Sequence, residues 1–536
     1  MLLVRTALTR TLGVLAALLA LLFGGLSSAV AEPALPEAVT TSSGDIKGNA
    51  PDSSGVVSYK GIPYAAAPVG PLRWRSPQPP ESWSGVRDAT AFGNICMGVA
   101  TPSTPLTSMS EDCLSLNVWA PADDLRPKAV MVWLHGGGFQ FGSGSEALYD
   151  GARLASKGVV VVTLNYRLGV FGFLARHDLD AESGRSGNFA LQDQIAALRW
   201  IQSNIDAFGG DPDNVTVFGE SAGAHAVGML MASPQTTGLF HKAIAQSGAF
   251  WDSVYGSIDT HAVAMARGDA LSVTMNAPTL AALRAIPAHR LNAATARLDT
   301  SAFQPSIDGA VVPDEPARVF AQGRQRQVPL LAGYMAEESF PVFEDKTLPH
   351  NPPPLFDASA AQVFGLASMD EFKPRYPSGT ISQTHASARQ LAADMMITEQ
   401  TWEMLGLHQR TSGQPVYGYK FTYTSPYSPR AGHTSDVPFV FGNLEARSSA
   451  LLPEEPSEAD RAFSDKVMCY WMAFARSGDP DTSGLPAWAP FQGPGSQLQE
   501  LATTPVSIAD PDASRLRFVA SFRKDGRLPD TWRMYF

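Results

Sequence analysis

The sequence has few cysteines, an excess of acidic over basic side chains and, beyond its first thirty residues, no long apolar run. Three cysteines among 536 residues allow at most one disulfide within the chain. The formal net charge of -11 makes nucleic acid or an anionic membrane surface an unfavourable partner. Charged residues make up 17% of the chain and hydrophobic residues 44%, which excludes a disordered or fibrous protein.

The one long apolar run lies at the start of the chain. Arg5 and Arg10 precede an apolar stretch from Leu12 to Leu26, and small residues follow it up to Ala31. This stretch is shorter than the roughly 20 residues that a membrane-spanning helix needs. The pattern therefore predicts a secretory signal peptide over residues 1–31 rather than a membrane anchor. We expect an exported protein, secreted or periplasmic, with no membrane span after signal cleavage.

Export makes a disulfide possible. Cys96 and Cys113 bracket a loop, residues 97–112, whose Pro, Ser and Thr content suits a surface excursion. We predict that these two cysteines are bonded to each other. Cys469 lies in an apolar helical pattern, and we predict that it is a buried free thiol.

Strand and helix patterns alternate along the chain. Continuous apolar runs at Ala129–Leu134 and Gly158–Tyr166 are typical of parallel strands covered on both faces. An amphipathic helical pattern follows over residues 188–208, and a Gly-Gly pair ends it. This alternation predicts a wound α/β sheet, with helical insertions around 253–320 and 340–415. We expect residues 32–536 to form a single domain, a length that large α/β domains reach.

A serine stands at a sharp turn in the segment NVTVFGESAGAHAVG, residues 214–228. A β-prone run enters Gly219-x-Ser221-x-Gly223, and a helical pattern leaves it. This is the nucleophile-elbow pattern, in which the turn presents the serine at the carboxyl end of a strand and leaves no room for a Cβ two positions away. The alternative is an ordinary strand-to-helix turn. The buried strand before the turn and the helix after it favour a catalytic Ser221.

A serine nucleophile also needs donors for the oxyanion that forms during attack. The segment WLHGGGF, residues 133–139, ends the first buried strand with three glycines. A flexible loop is the alternative, but this loop follows a core strand and precedes an elbow, as an oxyanion loop does. We predict that the backbone N–H groups of Gly137, Gly138 and Ala222 form the oxyanion hole.

Several further motifs occur in the order of one known family, and through them the chain resembles the type-B carboxylesterases over nearly all of its mature length. The resemblance implies an α/β-hydrolase fold, with a mostly parallel central sheet, helices on both faces and helical insertions near the active site. It implies hydrolysis of carboxylic esters by water through an acyl-enzyme, a reaction that requires no metal or organic cofactor. The family's first disulfide loop matches the predicted cysteine pair. The motifs are GIPYAAAPVGPLRW, EDCLSLNVWAP, WLHGGGFQFGSG, NYRLGVFGFL, GNFALQDQIAALRWIQSNIDAFGGDPDNVTVFGESAG, AQSG and FARSGDP.

The general base must be a histidine that follows both the serine and the acid, because this fold has the chain order nucleophile, acid, base. His225 comes only four residues after Ser221, too early for that order. His433 lies in a loop marked by Gly and Pro, and an acid followed by Pro-Phe comes three positions later, as in the family's histidine motif. We predict His433 as the base. His350, in a proline-rich loop, is a weaker alternative.

The acid follows a strand that is predicted over Val328–Ala332, and Gly333 comes directly after this strand. The resemblance places the acid at Glu338 and makes Glu337 its neighbour. Two positions depart from the family pattern Gly-x-Asn-x-Asp-Glu-Gly, since Met stands at 335 and Ser at 339. Glu337 therefore stays open as the alternative acid. The acid would orient the imidazole and stabilise its charged form.

Two polar residues beside these positions are candidates for supporting roles. Glu220 precedes the nucleophile and is predicted to shape the electrostatics of the pocket. Ser247, in AQSG, is predicted to hydrogen-bond to the acid or the base. For both residues the alternative is a structural polar group at the end of a strand.

Residues 97–112 contain no Trp, Tyr or Phe. An aromatic platform for a quaternary ammonium group is therefore missing from this loop, and choline esters are disfavoured as substrates. The alternatives to a general carboxylesterase are a lipase, a specialised polyester or toxin-ester hydrolase, and a non-catalytic binding or adhesion domain of the same superfamily. A non-catalytic member would have lost the serine or its partners, which this chain retains.

Overall fold

A computed structural model describes residues 38–122, 126–250, 258–295, 303–338, 352–446 and 455–524. The predicted signal peptide and the alternative base His350 lie outside these residues. Within the described ranges, no helix combines the length and the apolar character that crossing a membrane requires.

A ten-stranded sheet lies at the centre of the protein. Its order is β17-β16-β15-β14-β11-β10-β8-β9-β7-β3, and the seven strands from β16 to β9 in that order are mutually parallel. Antiparallel strands complete the two edges. The strands are β1 (Ala38–Thr41), β2 (Gly44–Lys47), β3 (Val56–Pro63), β4 (Val86–Asp88), β5 (Ile95–Cys96), β6 (Met109–Ser110), β7 (Ser115–Pro121), β8 (Lys128–Leu134), β9 (Val160–Leu164), β10 (Gly210–Glu220), β11 (Lys242–Gln246), β12 (Asp259–Thr260), β13 (Ser306–Ile307), β14 (Leu330–Met335), β15 (Val416–Phe421), β16 (Gln497–Leu501) and β17 (Val506–Ala509).

Helices surround the sheet, and those between β11 and β15 include the predicted insertions. A π-helix, Asp394–Thr398, joins two of them. The α-helices of the described residues are α1 (Ala152–Ala155), α2 (Gly169–Phe173), α3 (His177–Ser183), α4 (Phe189–Asn204), α5 (Ala222–Ala232), α6 (His261–Thr274), α7 (Leu280–Arg284), α8 (Ala288–Thr295), α9 (Pro316–Ala321), α10 (Pro353–Phe364), α11 (Met369–Arg375), α12 (Ile381–Ala393), α13 (Glu399–Ser412), α14 (Val437–Phe441), α15 (Glu458–Ser477) and α16 (Ala513–Lys524).

The strands β8 and β9 are largely apolar because each of their faces is covered by a hydrophobic layer. Successive side chains of a strand point to opposite faces. Val130, Val132 and Leu134 of β8 therefore enter one core cluster, which includes side chains of α4 and α5. Met131 and Trp133 enter a second cluster on the other face, which includes side chains of α14 and α15. The predicted two-sided burial is confirmed by this division.

The strand register brings the candidate site segments to one edge of the sheet. Gly219 of β10 pairs with Leu134 of β8 and with Ala245 of β11. Gln246, the last residue of β11, pairs with Gly333 of β14. Because these strands are parallel, the glycine loop after β8, the serine after β10 and the acidic loop after β14 all leave at the carboxyl ends of neighbouring strands. Ligand sites of open α/β sheets form at this edge.

Three details differ from the sequence prediction. The strand expected to end at Ala332 continues to Met335, because pairing with β15 extends to Met335↔Phe421. Cys469 is free, but it is half-buried rather than buried, and it packs against the second core cluster. The helix predicted over 188–208 ends at Asn204 and continues as a 3-10 turn to Phe208.

The predicted pairing of cysteines is confirmed, since Cys96 and Cys113 form a disulfide.

Candidate active site

Ser221 stands at the turn between β10 and α5 in a strained backbone conformation. Its φ is 55° and its ψ is -123°, a region that residues with a Cβ rarely adopt. The neighbouring glycines have no room for a side chain. A Cβ on Gly219 would lie 2.6 Å from the carbonyl carbon of Gly223, and a Cβ on Gly223 would lie 1.9 Å from the carbonyl oxygen of Leu134. The turn therefore requires glycine at both positions, as the elbow pattern predicts.

The glycine loop that follows β8 lies directly against this turn. A Cβ on Gly136 would be 3.2 Å from the Ser221 Cβ and 2.7 Å from Glu220 Oε2. Gly137 and Gly138, with φ of 105° and 60°, lead away from that contact. A Cβ on Gly138 would meet no atom of the described residues within 4 Å. The loop thus places its backbone directly against the turn that carries Ser221, where the first turn of α5 also begins, at Ala222.

His433 and Glu338 form a buried pair. The His433 Nδ1 atom lies 2.7 Å from Glu338 Oε2, and both side chains are at most 4% exposed. Glu338 Oε1 accepts a hydrogen bond of 2.8 Å from the backbone N–H of Met335. The carboxylate is therefore fixed by its own loop while it holds one ring nitrogen of the histidine. This is the contact by which an acid orients a catalytic imidazole.

Glu337 points away from this pair. Its carboxylate forms an ion pair of 2.5 Å with Arg430, and both side chains are well exposed. The backbone of Glu337 forms an isolated bridge with Gly432, next to His433 in the chain. This bridge ties the acidic loop to the histidine loop and directs consecutive side chains to opposite sides. Glu338, not Glu337, therefore contacts His433.

Glu220 contacts the second nitrogen of the same ring. Its Oε1 lies 3.1 Å from His433 Nε2, and its side chain is 3% exposed. The predicted influence of Glu220 on the pocket thus takes the form of a close contact with the histidine, which lies between two carboxylates.

These carboxylates change the protonation behaviour of the site. Burial by itself would lower the pKa of His433, but attraction by Glu220 and the hydrogen bond to Glu338 outweigh it and raise that pKa to about 9. Burial raises the pKa of Glu220 to about 8, and the nearby imidazole opposes part of that rise. The charge of His433 is therefore linked to the charge of Glu220.

A third buried acid, Asp436, lies behind the histidine. Its Oδ2 accepts hydrogen bonds from Tyr419 Oη at 2.7 Å and from Gln246 Nε2 at 2.9 Å. Gln246 Oε1 in turn accepts one from Trp471 Nε1 at 3.1 Å. Burial raises the pKa of Asp436 to about 6. Sequence reasoning used Asp436 only as part of the histidine motif and missed its two partners, because they come from β11 and β15.

The prediction for Ser247 is wrong in its detail. The Ser247 Oγ is buried and has no hydrogen-bond partner within the described ranges. The Glu338 carboxylate is already engaged by Met335 N–H and by His433. Ser247 contributes through its backbone instead: its N–H donates to the Gly333 carbonyl at 2.9 Å, and its φ of 54° ends β11.

In the part of the chain that the structure describes, no group of three or more His, Cys, Asp or Glu side chains is arranged to hold a metal ion.

The sequence matches a known protein family over most of its length. The model of the "Carboxylesterase family" matches residues 36–519. A para-nitrobenzyl esterase of Bacillus subtilis is 38% identical over 465 residues, which cover 83% of this chain and 91% of the relative. A fumonisin B1 esterase of Sphingopyxis macrogoltabida is 36% identical over 84% of each chain. A human cocaine esterase is 34% identical over 87% of each chain.

Solved structures give the same result for the fold. A para-nitrobenzyl esterase structure superposes with a TM-score of 0.77 at 35% identity, and the match covers 90% of this chain and 99% of the other. A carboxylesterase of Geobacillus stearothermophilus superposes with a TM-score of 0.78 at 34% identity, over 90% of this chain and 100% of the other. The family resemblance and the α/β-hydrolase fold expected from the motifs are both confirmed.

Proposed function

The chain belongs to the carboxylesterase family and is a carboxylic ester hydrolase, and from that premise we propose which residues carry the reaction. Ser221 is the nucleophile, His433 the general base and Glu338 the acid that orients it. The observation that carries this proposal is the buried 2.7 Å contact between His433 and Glu338. It lies at the sheet edge where Ser221 leaves β10 in a strained turn.

The reaction proceeds in two halves. His433 takes the proton from Ser221 Oγ as that oxygen attacks the ester carbonyl, and the backbone N–H groups of Gly137, Gly138 and Ala222 stabilise the oxyanion. His433 then gives its proton to the leaving alcohol, and an acyl-enzyme remains. Water attacks the acyl-enzyme with the help of the same base and releases the carboxylic acid. Glu338 stabilises the imidazolium that forms in each half, and no step requires a metal or organic cofactor.

The choice between the two adjacent acids is tested by a matched pair of variants. Glu338→Gln is expected to lower kcat by about 10²- to 10⁴-fold, because the amide does not stabilise the imidazolium or hold the correct ring tautomer. Glu337→Gln removes only an exposed ion pair, which contributes about 0–1 kcal/mol, and kcat should stay within about 2-fold. Steady-state kinetics on one p-nitrophenyl ester checks both. A large loss in Glu337→Gln with normal activity in Glu338→Gln would assign the acid to the other residue.

The contact of Glu220 with His433 predicts a change in pH dependence. His433 accepts a proton only when it is neutral. Its raised pKa therefore places the acidic limb of the kcat/KM profile at a higher pH than an unperturbed imidazole would. Glu220→Gln removes one attracting charge and should move this limb towards lower pH by about one unit. The check is a pH profile of kcat/KM for an uncharged ester. Glu337→Gln serves as the control, and a limb that does not move in Glu220→Gln would contradict the electrostatic role.

We also propose that the protein is exported and acts on carboxylic esters other than choline esters. Export is supported by the basic, apolar and small-residue pattern of residues 1–31 and by the Cys96–Cys113 disulfide, since disulfides persist in oxidising compartments. The lack of aromatic residues over 97–112 argues against a quaternary ammonium site. The substrate is a small or polymeric ester that reaches Ser221 together with water.

A further inference from the structure

The segment that leaves β11, residues 247–250, packs against the turn that carries the nucleophile. We call it the strand-exit segment. A Cβ on Gly248 would lie 2.7 Å from the Ser221 carbonyl oxygen and 3.2 Å from His225 Cδ2, and a Cβ on Gly228 would lie 1.9 Å from the Ala249 carbonyl oxygen. Backbone therefore meets backbone along the first two turns of α5, and only glycine allows so close an approach.

Two buried side chains from different helices accept the hydrogen bonds of this segment. His225 Nδ1, on α5, accepts the Ala249 N–H at 3.2 Å. Gln400 Oε1, on α13, accepts the Phe250 N–H at 2.8 Å. Both side chains are 1% exposed. These N–H groups lie beyond the last paired residue of β11, and a buried N–H needs an acceptor.

His225 is present as a neutral ring. Burial, assisted by repulsion from His433, lowers its pKa to about 3. A neutral imidazole has one acceptor nitrogen, and in His225 that nitrogen is occupied by the Ala249 N–H. His225 therefore accepts no proton from Ser221, although it is the histidine nearest to it in the sequence.

His225 also contacts the nucleophile through its own backbone. The backbone N–H of His225 donates to the Ser221 carbonyl at 2.9 Å, and Gly248 packs against that same carbonyl oxygen. Ser221 N–H meanwhile donates to the Gln246 carbonyl at 3.0 Å. A strained conformation such as that of Ser221 persists only where the surrounding structure enforces it. His225 links the two elements that enclose this residue.

We propose that His225 is a positioning residue that holds Ser221 in its strained conformation by tying the first turn of α5 to the strand-exit segment. This inference rests on the proposed role of Ser221 as the nucleophile. The proposal predicts that a hydrogen-bond acceptor at the position of His225 Nδ1 is needed for the chemical step but not for substrate binding.

The test compares His225→Asn with His225→Gln and His225→Leu. An asparagine amide oxygen can take the place of Nδ1, whereas glutamine carries its amide one carbon further out and leucine has no acceptor. We expect kcat to fall about 10- to 100-fold in His225→Leu, because a small displacement of a reacting group has an effect of this size. The rate of inactivation by a fluorophosphonate should fall by the same factor, and KM should stay within about 2-fold. His225→Asn should restore most of kcat and His225→Gln should not.

A control variant separates this role from general stability. His408 is another buried histidine, and its Nε2 contacts the Val328 carbonyl, two residues before β14, at 2.8 Å. His408→Leu should lower the unfolding temperature but leave kcat per folded enzyme unchanged. Equal kcat in wild type and His225→Leu, or equal losses in His225→Asn and His225→Gln, would overturn the proposal. The Asn and Gln pair gives this comparison even if His225→Leu does not fold. Full activity in Ser221→Ala would overturn the proposed nucleophile instead, so the two failures are distinguishable.

Discussion

Ser221→Ala is expected to lower kcat for ester hydrolysis by about 10⁴- to 10⁶-fold while the protein stays folded. The substitution removes one oxygen atom, and with it the only group that can form the acyl-enzyme in the proposed reaction. The oxyanion donors of Gly137, Gly138 and Ala222 remain in place, so a small rate above that of the uncatalysed reaction should persist. Binding of substrate should change little, because the lost interaction is made in the transition state.

The measurement is steady-state hydrolysis of a p-nitrophenyl ester together with thermal unfolding of the same sample. Unfolding within a few degrees of the wild type establishes that lost activity is not lost fold. Hydrolysis at more than about a tenth of the wild-type rate would exclude Ser221 as the nucleophile. Re-purification of the variant with a different tag removes the contribution of any contaminating esterase.

The second large effect is expected for His433→Ala, with a fall in kcat of about 10⁴- to 10⁶-fold. No other group would then accept the Ser221 proton. Glu220 and Glu338 stay on either side of the vacated space, and a small base that enters this space should recover part of the function. Added imidazole is therefore expected to raise the rate of His433→Ala in proportion to its concentration, with little effect on Ser221→Ala.

The control for this experiment is His177→Ala. His177 is exposed at the start of α3 and should tolerate the change with kcat within about 2-fold. If His433→Ala keeps its activity, or if imidazole rescues Ser221→Ala equally well, His433 is not the base. The exposed histidine also shows whether simple loss of an imidazole from the protein affects the assay.

The features that the sequence predicts well are those recorded in contiguous residues. The strands β8 and β9 are predictable because both of their faces are buried, so that most of their residues are apolar. The nucleophile elbow could be predicted because its three requirements fall within fifteen residues. They are a buried strand, two glycines at positions with no room for a Cβ, and a helix. The order of nucleophile, acid and base then limited the choice of histidine.

The features that could not be predicted from the sequence depend on contacts between residues that are distant in the chain. Whether Glu337 or Glu338 faces the histidine is decided by the bridge between Glu337 and Gly432, nearly a hundred positions apart in sequence. The end of β14 at Met335 depends on its pairing with β15. The two partners of Asp436 come from separate strands, Gln246 from β11 and Tyr419 from β15. Ser247 carries a motif that suggests a hydrogen-bonding side chain, yet the turn uses its backbone, which sequence does not distinguish.

The role of His225 could not be predicted from the sequence either, because it depends on contacts with residues more than twenty positions away. Its position, four residues after Ser221, places it on the first turn of α5 and makes it a plausible base by proximity alone. Only the course of the strand-exit segment shows that its accepting nitrogen faces the Ala249 N–H. The structure thus gives the two histidines opposite protonation behaviour, since burial lowers the pKa of His225 while two carboxylates raise that of His433.

The central claim is that Ser221 is a nucleophile activated by His433, and covalent labelling by a fluorophosphonate tests it most directly. The wild-type protein, treated with the reagent and digested, should carry one phosphonyl group on the peptide that contains Ser221, and activity should fall in proportion to labelling. Ser221→Ala should not be labelled, and His433→Ala should be labelled far more slowly. Inactivation with the label on another residue, or equal labelling of wild type and Ser221→Ala, would contradict the account.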